Sequence, residues 1–123
     1  MLVKVHRTGV RGGIMEEKLL EETLRNNIMI VENSDIKKQM FVWIEEMSEL
    51  TKVICKWARR YDELNGDLTA DLKKDFTTEI ADVTVCLDQI KYAIKLFEDE
   101  LMEEYRFKVD RQLDRIEKEV KDE

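Results

Sequence analysis

The sequence predicts an all-α protein, a bundle of about four helices. Three observations lead there. Apolar residues recur at steps of three and four along most of the chain, the period of a helix with one buried face. Among 123 residues there is no proline, and 40% are charged, so long amphipathic helices with few sharp corners fit the composition. No segment alternates apolar and polar residues at strand period, and no internal repeat stands out.

Residues 1–14 hold three of the four glycines, are basic and show no period. They read as a flexible tail ahead of a helical domain over 15–123, and Met15 is a candidate natural start. The first helix is expected over Met15–Asn27, with Leu19, Leu20, Leu24 and Ile28 as its apolar stripe and Asn26-Asn27 as its end. Asn33-Ser34-Asp35 supplies capping side chains for a second helix reaching about Asp62. Asn65-Gly66 marks a turn, and Thr69 is the next cap. A third helix is expected over Ala70–Glu98. A fourth is expected over Glu100–Lys121, with Leu101, Tyr105, Val109, Leu113, Ile116 and Val120 in its stripe.

The net charge of -7 argues against a nucleic-acid-binding surface, which needs a basic face. No apolar run is long enough to cross a membrane. The start lacks the apolar centre of a signal peptide. Cys55 and Cys86 form no CxxC pair and read as reduced, buried thiols, so the expected location is cytoplasmic.

Within the second helix, WIEEMSEL (residues 43–50) sets three glutamates among apolar residues. On a wheel of about 100° per residue, Val42, Trp43, Leu50, Val53 and Trp57 all fall within roughly 60° of Glu46. Glu49 lies at the edge of the same stripe. Glu45 points toward Lys52 and Lys56, on the polar side. In the third helix, Glu79 falls within the apolar arc of Val83, Cys86, Ile90, Ala93 and Phe97, with Asp82 on its flank. Each helix therefore sets an i,i+3 acid pair on or beside its core face. Buried carboxylates that face one another cannot all stay ionised and unpaired. Some are protonated, basic side chains reach in, or a cation binds; a hard divalent ion such as Mg2+ suits oxygen-only ligands. With 28 acids in the chain, an isolated ExxE is most often a solvated face. The only histidine is His6, which excludes the Glu-x-x-His pairs of di-iron bundles. No GxxxxGK[ST] loop is present.

Glu45-Glu46-Met47-Ser48-Glu49, followed by Glu79-Ile80-Ala81-Asp82, resembles the EExxE and ExxD motifs of MazG-like, all-α nucleoside triphosphate pyrophosphohydrolases. WIEEMSELTKVICKW looks like the first motif helix of that family, EIADVTVCLDQI like the second and YRFKVDRQLDRIEKE like its last helix. The resemblance covers roughly residues 15–118. It implies Glu46, Glu49, Glu79 and Asp82 as Mg2+ ligands, with Mn2+ as a possible substitute. It also implies Glu45 as a water-orienting carboxylate, grouped with Glu46 as catalytic. The activity implied is hydrolysis of a nucleoside triphosphate to monophosphate and pyrophosphate. The assembly implied is a homodimer or a dimer of dimers. Lys56, Lys108, Arg111 and Arg115 are candidate phosphate contacts. Trp43 and Trp57 are candidate stacking partners for a base, although core packing is the commoner fate of such tryptophans. The alternative reading is a non-catalytic helical module whose acidic patches meet a basic partner.

Overall fold

The computed structural model describes residues 14–122. Over that range it is all-helical, with α1 at Ile14–Glu32, α2 at Ile36–Arg60, α3 at Ala70–Ala93 and α4 at Glu98–Asp122. The expected tail falls almost wholly outside the described residues. The chain divides into two compact units, the first ending at Gln89 and the second running from Ile90 to Glu123.

In the first unit, α1 does not stop at Asn26-Asn27 but continues to Glu32. Asn27 is taken up by tertiary contacts instead: its Nδ2 donates to the Val85 carbonyl at 3.1 Å and its Oδ1 accepts from Gln89 Nε2 at 2.8 Å. The helix ends where Asn33 Nδ2 bonds the Met29 carbonyl at 2.8 Å and Ser34 Oγ bonds that of Ile30. Asp35 then caps α2, its Oδ1 accepting from the Lys37 and Lys38 N–H groups at 3.0 and 3.4 Å, as its short acidic side chain predicts.

The α2–α3 turn carries Asn65 and Gly66 at φ 54° and 78°. Gly66 N–H donates to the Tyr61 carbonyl at 2.8 Å, and a Cβ there would sit 3.1 Å from the Tyr61 hydroxyl, so sign of φ and lack of space both select glycine. Trp57 closes this corner. Its Nε1 donates to the Asp67 carbonyl at 3.1 Å, and its ring meets Tyr61 and Phe76 at 5.5 and 5.8 Å. Thr69 caps α3 by accepting from the Leu72 N–H at 3.1 Å.

Among the described residues of this unit, Val31, Trp43, Leu72 and Cys86 are the buried apolar ones, and Gln89 is buried as well. Gln89 Oε1 accepts from Trp43 Nε1 and from Gln39 Nε2, both at 2.8 Å. With the Asn27 bond, one side chain of α3 ties α1 and α2 in register. A buried amide is tolerated because its oxygen and its nitrogen are both satisfied. Gln39 and Gln89 opposite each other, with Glu46 opposite Asp82 further along, show that α2 and α3 run antiparallel. Cys55 is exposed, contrary to the buried reading, because it lies across α2 from Glu46; Cys86 is buried, and both thiols are free.

The second unit holds the boundary hardest to place from sequence. The third helix ends at Ala93, five residues before the expected Glu98. Lys95 adopts φ 58°, its N–H donates to Tyr92 O at 3.2 Å, and Leu96 N–H donates to Lys91 O at 2.9 Å. This is a Schellman closure with lysine in the place usually taken by glycine, so the expected signal was missing. Lys91 Nζ pairs with Glu98 Oε1 at 2.8 Å across the turn. The fourth helix starts at Glu98, with Glu98, Asp99 and Glu100 in its first turn where the helix dipole favours acids.

Candidate metal centre

Antiparallel α2 and α3 bring their inward acids together. Glu46, Glu79 and Asp82 each offer a carboxylate oxygen, and these oxygens lie within 4.8 Å of one another. All three residues are half-buried. Burial, then the Asp82 charge, a hydrogen bond with Asp82, and the charges of Glu79 and Glu45 push the Glu46 pKa up. Burial likewise raises the Glu79 pKa, followed by the charges of Asp82, Glu49 and Asp75.

Although Glu79 as a whole is partly exposed, its Oε2 is fully shielded and has no hydrogen-bond partner. A shielded carboxylate oxygen without a donor is costly unless it is protonated or meets a cation. Three converging carboxylates, one of which also carries an orphaned oxygen, fit a hard divalent cation, since nitrogen and sulfur ligands are absent from the group. Cys86, one turn beyond Asp82, is not part of it. Its thiol pKa is raised by burial and then by the charges of Glu46 and Asp82.

The remaining expected residues are distributed differently. Glu49 lies outside the three-acid group and pairs with Lys52, Oε1 to Nζ 3.0 Å, while its charge still reaches Glu79. Glu45 is exposed on the flank of Glu46. Lys56 Nζ stands 3.9 Å from Asp75 Oδ2. Trp43 is a core residue in this chain, only 7% exposed and bonded to Gln89, and Trp57 is built into the α2–α3 corner. Both tryptophans are thus engaged in packing. Lys108, Arg111 and Arg115 belong to α4 in the second unit, where Lys108 Nζ lies 3.7 Å from Glu104.

Asp75, Gln39 and Gln89 were not anticipated from sequence. The same wheel contains the signal for the two amides: Gln39 is seven residues before Glu46 and Gln89 seven after Asp82, so each shares the face of its acid. No family model, curated protein or solved structure matches the chain.

Proposed function

We propose that the chain is a divalent-cation-dependent nucleoside triphosphate pyrophosphohydrolase of the MazG-like kind, using Mg2+ or Mn2+ and working as a homo-oligomer. The observation that carries this reading is the convergence of Glu46, Glu79 and Asp82 from two antiparallel helices, with one Glu79 oxygen left without a donor. The EExxE and ExxD motifs name the reaction class. Oxygen-only donors favour a hard cation, and the cation's partner of choice is a polyphosphate.

Glu46, Glu79 and Asp82 would hold the cation, with Glu49 close by, and when bound it would supply positive charge against the triphosphate and polarise a water. Glu45, exposed beside Glu46, is the carboxylate we assign to orient the water and receive its proton. Water adds across the α–β anhydride, leaving the monophosphate and pyrophosphate. The helical frame contributes placement, which carries most of the catalysis in phosphoryl chemistry.

The test is a panel of canonical and modified nucleoside triphosphates with and without Mg2+, read as pyrophosphate and monophosphate. Release of both products in equal amounts, dependent on cation and lost by more than about 100-fold in Glu46→Gln and Glu79→Gln, is expected. Turnover that persists in both variants would place the chemistry elsewhere. A chain inert to the whole panel, but binding basic peptides through the same acids, would be the interaction module.

A further inference from the structure

Two acids border the three-carboxylate group, and each is already held by a lysine. Glu49 lies three residues after Glu46 on α2 and Asp75 four residues before Glu79 on α3, so each stands about one turn from a member of the group. Lys52 Nζ is 3.0 Å from Glu49 Oε1, and Lys56 Nζ is 3.9 Å from Asp75 Oδ2. Lys52 and Lys56 are four residues apart, so they stand one above the other on one edge of α2. The Lys52 side chain is 71% exposed and that of Lys56 53% exposed. Exposed pairs of this sort are weak and exchange readily for a better anion.

A polyphosphate is a better anion. It carries several charges on closely spaced oxygens, whereas each lysine now has a single carboxylate oxygen. We propose that Lys52 and Lys56 form a phosphate clasp beside the carboxylate centre: an incoming pyrophosphate group takes both ammonium groups, and the exchange releases Glu49 toward the cation. This rests on the cation-dependent reading of the site above and adds to it the residues that hold the phosphates. Lys52 reads in sequence as a solvated residue, and it is the pair with Glu49 that gives it a place. The exchange couples the two ligands. While Lys52 holds Glu49 it competes with the cation for that carboxylate; once phosphate engages Lys52, the competition ends.

The coupling makes the test specific. Calorimetric titrations with Mn2+ alone, and with inorganic pyrophosphate at saturating Mn2+, are compared for wild type, Lys52→Gln, Lys56→Gln and Lys52→Arg. Lys38→Gln, at the start of α2, serves as a control that removes the same charge. Lys52→Gln should weaken pyrophosphate about 3- to 10-fold. It should also bind Mn2+ alone about 2- to 5-fold more tightly, because Glu49 is freed. Lys56→Gln should weaken pyrophosphate by a similar factor, Lys52→Arg should retain it, and Lys38→Gln should change neither titration. Circular dichroism checks that each variant is folded. If both glutamine variants bind pyrophosphate as Lys38→Gln does, the clasp is wrong while the centre stands. If Lys52→Gln weakens Mn2+ or leaves it unchanged, the exchange with Glu49 is wrong. If wild type binds no Mn2+, or Glu46→Gln binds it equally well, the centre itself fails and the clasp with it.

Discussion

Glu46 and Glu79 each add a pH dependence to the stability of the protein. Burial and neighbouring acids hold both pKa values above the usual Glu value. A carboxyl whose folded pKa is raised binds its proton more tightly in the folded chain than in the unfolded one. Its contribution to stability is complete below the unfolded pKa and disappears as pH rises through the folded pKa. From about pH 4.5 upward the metal-free protein should therefore lose melting temperature relative to Glu46→Gln and Glu79→Gln. A divalent cation binds the ionised form, so its stabilising effect should grow over the same window. Melting curves with chelator and with Mg2+ across that range measure this; parallel curves for wild type and both variants would refute it. Gln89 makes a different residue-scale prediction. Gln89→Leu keeps the volume but strips the acceptor from buried Trp43 Nε1, whereas half-buried Gln39 and Asn27 can turn to water. A loss of about 2 kcal/mol in urea unfolding is expected. A variant as stable as wild type would show that the amide network adds nothing.

At the scale of elements, the capping residues behave as their chemistry dictates. Asp35, Thr69 and Asn65-Gly66 stand where the sequence places them. The two misplaced helix ends have different origins. Asn27 looks like a helix end because its side chain competes with the backbone, but α3 occupies that side chain instead. Lys95 looks like mid-helix because lysine is a good helix former, yet it takes the left-handed conformation that closes α3. That conformation costs a residue with a Cβ about 1 kcal/mol. Lys95→Gly should accordingly stabilise the chain by roughly 0.5–1 kcal/mol, an unusual sign for glycine beside a helix. Denaturant unfolding decides it, and a destabilised variant would mean that the turn depends on the lysine side chain.

At the scale of the whole molecule, the described helices leave many apolar side chains exposed. On α2, Phe41 and Ile44 are 64% and 61% exposed; on α3, Ile80 and Leu87 show the same pattern; on α4, Tyr105, Val109, Leu113 and Ile116 remain exposed. Exposed apolar stripes of this extent mark protein interfaces. Light scattering at micromolar concentration should give a mass of two or four chains. Replacing Phe41 and Ile44 by Lys should lower that mass if α2 contributes to the contact; a monomeric wild type would contradict the homo-oligomeric reading. Among the described residues no helix is long and apolar enough to cross a membrane.

The sequence by itself determined the helical class, most of the caps and the place of Glu46 and Glu79 on core faces, with Asp82 on the flank. These follow from local chemistry and from angular position on a single helix, which the order of residues contains. Only the tertiary structure decided that Asn27 belongs to α3's network, that Glu49 sits with Lys52 rather than in the three-acid group, and that Trp43 is core. Those outcomes depend on which side chain another helix brings within hydrogen-bond reach, and a register between helices is not written in the period of either one.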